Sequence, residues 1–248
     1  MRLPDVLSPV SVEELKRDYF GKQCLLIKRK KNNPLEKLLT LKQLEARLND
    51  GLANNAALNV IQNDGTKFPP GEFMEKQTGP AWSNNFLNKS RLAGRLNEGC
   101  SFVMHNMSAL TPGIEQLVHE IERAFSSQAD VHVYVSPRKG SSGYNAHKDE
   151  PQHKIYLQLF GSTDWVVYQK SDPRLTMPAA EAEQVLGVDF RATLTAGSVL
   201  YMPPGVFHYA TNPDTPRVSL SIPFYPSPSS RKVDRTHIPL ESMLTRGE

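Results

Sequence analysis

Cysteine is almost missing from this sequence: Cys24 and Cys100 are the only two in 248 residues, and they stand in unrelated contexts. Thiols so placed exclude a disulfide framework and a cysteine-based zinc site, and both are expected to be reduced and packed. Long hydrophobic runs are also lacking, so no stretch is expected to cross a bilayer as a helix. The N-terminal segment carries Asp5, Glu13, Glu14 and Asp18 and no unbroken apolar run, unlike a secretory signal, so the expected compartment is the cytoplasm. Neither sign of charge is in excess. Lys and Arg total 29 against 26 for Asp and Glu, and a formal net charge of +3 gives no ground for a nucleic-acid partner.

What is present suits one sizeable core: 39% of residues are hydrophobic and 22% charged. Ser11-Val12-Glu13-Glu14 has capping-box spacing and predicts a short helix to about Phe20. Cys24 to Ile27 reads as a buried strand, ending in Lys28-Arg29-Lys30-Lys31, either a basic recognition tract or a solvated strand end. Thr40-Leu41-Lys42-Gln43 repeats the capping signal for a helix with Leu41, Leu44 and Leu48 on one face and Gly51 as its stop. Thr111-Pro112 opens a third helix, with Ile114, Leu117, Val118, Ile121 and Phe125 as its apolar stripe. From Val131 the period becomes two, and further β-rich runs follow at Ile155 to Leu159, Trp165 to Tyr168, Val199 to Met202 and Val218 to Ile222, separated by glycines at 140, 143, 161, 197 and 205. This pattern predicts an all-β barrel or sandwich behind N-terminal helices. A last helical turn is placed near Leu240 to Leu244.

His147-Lys148-Asp149 would put two metal-competent side chains on one face of an extended strand. A triplet of this kind is weak alone, because a half-exposed strand can carry both residues with no metal. His208 is the best third ligand, since it follows the Pro203-Pro204-Gly205 turn at the start of a later strand. Two imidazoles and one carboxylate on one face of an octahedron leave adjacent positions for a bidentate co-substrate and dioxygen.

Several pieces, in order, resemble the JmjC-type branch of the cupin superfamily, especially the bacterial subgroup that includes ribosomal-protein hydroxylases. They are Cys24 to Ile27, Val131 to Pro137, Gly143 to Asp149, Leu157 to Gly161 with Trp165, and Leu200 to Gly205 with His208. The resemblance covers roughly Leu15 to Pro226. It implies a double-stranded β-helix, a jelly-roll or cupin barrel flanked by helices, with its core over about 130–226, a helical and edge-strand part over 1–129 and a tail over 227–248. It further implies iron(II) held by His147, Asp149 and His208, 2-oxoglutarate as co-substrate, and hydroxylation of an unactivated carbon. The expected substrate is an amino-acid residue in a protein or peptide, or an amino-acid-like small molecule; a homodimer is left open. The dimerisation and winged-helix segments of the ribosomal enzymes are not expected within 227–248.

One departure stands out. Many relatives carry Lys or Arg two residues before the equivalent of Trp165, where this sequence has Thr163. A dicarboxylate drawn into a barrel still needs a cation or several donors. Lys154 is the first choice as replacement, and Arg217 with Ser219 on the strand after His208 is the second; Tyr134 and Thr163 add hydroxyls. Lys154 and Arg217 read equally well as exposed strand charges. His132 could line the substrate side, and Tyr144 and Asn145 could contact substrate or merely shape the turn. His105, His119, His153 and His237 are expected to be satisfied or exposed. The 64–88 stretch reads as a substrate-covering loop or a packed surface excursion. The competing functions are a cupin module that binds metal or ligand without 2-oxoglutarate, and a metal-dependent isomerase, since fold alone assigns no chemistry.

With only two cysteines, mild reductant at constant metal content is expected to leave the melting temperature unchanged. A fall in thermal stability on adding reductant alone would contradict this.

Overall fold

The computed structural model describes residues 1–29, 33–49, 58–62, 65–138, 143–211 and 216–226. Lys30, Lys31, Gly51, Asp64, Gly140, His237 and the tail with its expected turn at 240–244 lie outside the described residues.

Two antiparallel sheets form the barrel. The larger has the spatial order Leu25–Ile27, Val199–Met202, His153–Phe160, Arg217–Pro226, His132–Ser136, Ser101–Met104 and Leu58–Ile61, with Ser127–Ala129 pairing the far part of Arg217–Pro226. The smaller has the order Thr176–Met177, Ala146–His147, His208–Thr211, Ser162–Tyr168 and Val188–Thr195. From His132 onward the strands are shared out between the two sheets, so His132–Ser136, His153–Phe160, Val199–Met202 and Arg217–Pro226 stand on one wall. Ala146–His147, Ser162–Tyr168, Val188–Thr195 and His208–Thr211 stand on the other. This alternation is a double-stranded β-helix, as expected.

Strand periodicity decides what faces the interior. Val218, Leu220, Ile222 and Phe224 join Ile155, Leu157, Leu159, Val131 and Val133 in one large core. That core also contains Ile114, Leu117, Val118, Ile121 and Phe125 of the helix Pro112–Phe125, together with Leu3, Val6, Leu7 and Leu15 from the N-terminal segment. The alternate residues of the same strands point the other way, into the barrel: Arg217, Ser219 and Ser221, then Tyr134 and His132, then Lys154, Tyr156 and Gln158. Register brings them together, with Ser219 opposite both Tyr134 and Gln158, and Arg217 opposite Ser136.

The helical signals are matched locally. Ser11 accepts from the Glu14 amide at 3.1 Å, and the turn continues from Val12–Glu14 into wider π-type winding over Leu15–Tyr19. Thr40 and Gln43 cap each other ahead of the helix Leu41–Asn49, and Thr111 accepts from the Ile114 amide at 3.2 Å. Helices Lys89–Asn97 and Ala179–Leu186 are additions to the expected set. Of the basic run, Lys28 is exposed, as a solvated strand end would be, whereas Arg29 is half-buried. Its guanidinium donates to the carbonyls of Gly197 at 3.0 Å and Ser8 at 2.7 Å, tying strand to N-terminal segment. Within the 64–88 stretch, Met74–Gly79 and Trp82–Leu87 form their own two-stranded sheet. Among the described residues no helix is long and apolar enough to cross a membrane.

Leu220 has no exposed surface and sits between the helix layer and the barrel strands. Leu220→Ala should cost about 2–5 kcal/mol in a denaturant titration. Val185→Ala, at a side chain 49% exposed, should stay within about 0.5 kcal/mol.

Candidate functional site

His147 and His208 are Cα partners on neighbouring strands of the smaller sheet, with ring centroids 4.4 Å apart. Asp149 arrives differently from the expectation. The strand ends at His147, and Asp149 lies past it, its carbonyl accepting from the Gly205 amide at 2.9 Å. That bond fastens the Pro-Gly turn before His208 to the segment after His147. Gly205 has φ +78, a backbone conformation that favours glycine.

One donor atom from each of His147, Asp149 and His208 falls within 4.8 Å of the others. His147 Nδ1 is 2.8 Å from the Asn145 carbonyl and His208 Nδ1 is 3.0 Å from the Val206 carbonyl. A carbonyl only accepts, so each Nδ1 carries the proton and each Nε2 presents its lone pair. Burial pushes His208 down to about 3, with His147 adding to the effect, and burial lowers His147 as well. Burial alone would raise Asp149, but His208, Lys154 and His147 together hold it at about 2. At neutral pH the set is therefore two neutral imidazoles and a carboxylate, all in ligating form. This donor set fits iron(II) with positions left open.

A narrow cavity runs from these imidazoles to Arg217, lined also by Tyr134, Tyr144, Tyr156, Trp165 and Ser219. Arg217 is 4% exposed. Its Nε donates to Ser136 Oγ at 3.2 Å and an Nη donates to Thr163 Oγ1 at 3.1 Å. Thr163 passes its own proton to Gln158 Oε1 at 2.9 Å, and Gln158 donates to the Phe160 carbonyl at 2.8 Å. Every described partner is neutral. Among the described residues no carboxylate pairs with this guanidinium, and burial lowers its pKa to about 10, which still leaves it charged. Burial holds the Tyr134 hydroxyl protonated, and the buried Trp165 indole N–H has no partner among the described residues. At its Arg217 end the cavity thus offers donors and a positive charge with no described carboxylate beside them.

Lys154, the sequence's first choice, is placed elsewhere: its ammonium stands 2.7 Å from Asp149 Oδ1, and it does not line the narrow cavity. Arg217, the second choice, is the cation that lines it. Tyr156 escaped the sequence reading. Its hydroxyl lies 3.4 Å from Asp149 Oδ2 and 3.3 Å from His208 Nε2, and its interior-facing place on a predicted strand was the available signal. Trp165 stacks on His208 at 5.6 Å. His153 is a packing residue, stacked on Phe20 at 4.1 Å and hydrogen-bonded to the Tyr201 hydroxyl at 2.9 Å. His119 rides on the helix Pro112–Phe125. His132 lines a wider cavity outside the triad, 3.2 Å from Asp130 and edge-on to His105. Asn145 supplies the carbonyl to His147, while the Tyr144 ring lines both cavities.

A bifunctional lysine-specific demethylase and histidyl-hydroxylase, NO66 from Dictyostelium discoideum, is 26% identical over 217 residues, which is 85% of this chain and 40% of that protein. Ribosomal oxygenase 2 from Bos taurus is 33% identical over 100 residues, 40% of this chain and 21% of that protein. The chain thus spans less than half the length of either relative. The ribosomal oxygenase YcfD of Escherichia coli, solved in complex with cobalt and 2-oxoglutarate, superposes with a TM-score of 0.57 at 14% identity, covering 96% of this chain and 65% of that one. At that identity the likeness speaks for the fold alone. The model of the JmjC domain matches residues 104–232, more than half of the sequence, with every barrel strand from His132 onward and with His147, Asp149 and His208, and the chain belongs to the JmjC domain family.

Proposed function

We propose that this protein is an iron(II)- and 2-oxoglutarate-dependent hydroxylase, with His147, Asp149 and His208 as the metal ligands and Arg217 as the anchor of the co-substrate's distal carboxylate. The observation that carries the reading is the buried guanidinium, unpaired with any described carboxylate, at the far end of a cavity whose near end is the two imidazoles. Leaving a buried charge uncompensated is expensive, and a carboxylate arriving there restores charge-assisted hydrogen bonds. A dicarboxylate with a 2-oxo acid at its other end fits both ends at once. The names of NO66 and of YcfD with 2-oxoglutarate point the same way.

The reaction balances as one C–H of the substrate, one dioxygen and one 2-oxoglutarate giving one C–OH, one succinate and one carbon dioxide. Iron(II), when bound, supplies the redox chemistry that couples these two oxidations. The protein's own residues bind and orient. Ser136 and Thr163 fix the Arg217 fork, Tyr134 and Ser219 add hydroxyls beside it, and Trp165 offers its N–H and a flat wall against His208. The narrowness of the cavity keeps bulk water from competing for these donors. Lys154 holds the Asp149 carboxylate from the side away from that cavity, positioning a ligand rather than binding the co-substrate. The substrate is a residue of a protein or peptide. Two unpaired cysteines suit a reducing compartment such as the cytoplasm.

Purified protein with iron(II) and 2-oxoglutarate should release succinate. His208→Ala should abolish both this turnover and tight metal binding followed by calorimetry; full metal-dependent activity in that variant would remove His208 from the ligand set. Arg217→Ala should raise the 2-oxoglutarate requirement about 10- to 100-fold, the scale of a lost charged hydrogen bond worth about 1.5–3 kcal/mol. Lys154→Ala should shift it far less. The same ordering is expected anaerobically, where 2-oxoglutarate should raise the melting temperature of the wild type and not of Arg217→Ala. Equal co-substrate dependence in Arg217→Ala and wild type would refute the anchor.

A further inference from the structure

The mouth of the site is a wider cavity of about 470 Å³, in which His147 and Asp149 form part of the wall. Its charged lining is one-sided. Lys67, Lys148 and Lys154 face it, and among the described residues Asp149 is its sole carboxylate. Lys154 is spoken for by Asp149 at 2.7 Å, and Lys148 reaches Glu150 Oε1 at 3.2 Å, a carboxylate that does not line the cavity. Lys67 stands 4.9 Å over the Tyr144 ring, and no described carboxylate is paired with it. Burial lowers His105 to about 4, so it brings no charge at neutral pH. Lys154 stays with Asp149 and Lys148 with Glu150, so Lys67 is the ammonium of this lining that no described carboxylate pairs.

An arginine or lysine entering this space would be repelled, whereas a carboxylate would be met by donors. Attraction of 2-oxoglutarate on its way to Arg217 would exploit the same chemistry, but a second feature favours a larger occupant. A neighbouring cavity of about 450 Å³ shares His132 and Gln152 with the mouth and extends past Asp130 to Tyr225. Leu175, 61% exposed, adds an apolar rim on the mouth side. A co-substrate anchored at Arg217 needs neither, while an extended polypeptide needs both room for flanking residues and an apolar edge to lie on.

We propose that the residue presented to this site is acidic, an aspartate or glutamate of a polypeptide whose flanking segment occupies the groove past His132, with Lys67 and Lys148 selecting its carboxylate. The inference rests on the hydroxylase reading, and the transformation is the one balanced above, with oxygen inserted into a C–H bond of that residue's side group.

The test uses fluorescein-labelled heptapeptide pools, each with one fixed central residue among Asp, Glu, Asn, Gln, His, Arg and Lys and randomised flanks. Binding is read by anisotropy on the wild type and on Lys67→Glu, a change at an exposed position. The Asp and Glu pools should bind about tenfold more tightly than the Arg and Lys pools, the scale of one charge-assisted contact, and Lys67→Glu should erase or invert that ratio. In turnover, the acidic pools should gain the mass of one oxygen atom and raise succinate above the peptide-free rate. Equal binding of all pools, no binding of any, or preference for basic pools overturns the proposal. So does a Lys67→Glu variant with unchanged pool preference and a raised 2-oxoglutarate KM, which would assign the lysines to co-substrate entry. Acidic preference in binding without any succinate would leave the selectivity standing and reject the hydroxylase reading instead.

Discussion

A sheet that must be greasy on one side and polar on the other governs this molecule. The strands at 132–136, 153–160 and 217–226 pack their apolar face, the one that carries Val218, Leu220 and Ile222, against the helix Pro112–Phe125 and the N-terminal segment. Because side groups alternate along a strand, that commitment aims every other residue into the barrel. A slip of one residue would drive Arg217 into the aliphatic core and expose Leu220 to the cavity. The site is thus registered by the burial of residues that never touch it, and the large apolar contact with the helices is what holds the guanidinium in place.

The electrostatic consequence follows from where neutral and charged groups fall. Arg217 is gripped by hydroxyls, one of them backed by the Gln158 amide, which orient a cation without neutralising it. Asp149, by contrast, is surrounded by His208, Lys154 and His147 and stays ionised. The barrel therefore separates a guanidinium with no described counter-charge from the imidazole pair along one cavity.

Much of this was legible in the sequence. The alternation through Val131 to Val135 and through Val218 to Ile222, the capped helices and the Pro203-Pro204-Gly205 turn ahead of His208 are local signals, and each produced its element. What failed to show was geometry set by distant partners. Lys154 and Arg217 both sit on interior faces, and only register across the sheet reveals that one reaches Asp149 and the other Thr163. Asp149 was expected on the strand with His147, yet the strand stops short, because the Gly205 amide takes over the backbone at that point. Tyr156 hid among aliphatic neighbours whose periodicity looked purely structural. Arg29 looked like a free surface charge, since its carbonyl acceptors carry no sequence signature.

The two imidazoles are steadied by backbone carbonyls, Asn145 for His147 and Val206 for His208, each two residues earlier in the sequence. Replacing the side group at 145 or 206 leaves a carbonyl at the same place. The tautomer of both rings is thereby insulated from drift in the surrounding sequence. Loops that frame the mouth can diverge to accommodate new clients while the donor pair keeps its readiness for a cation, a form of mutational tolerance written into the backbone itself.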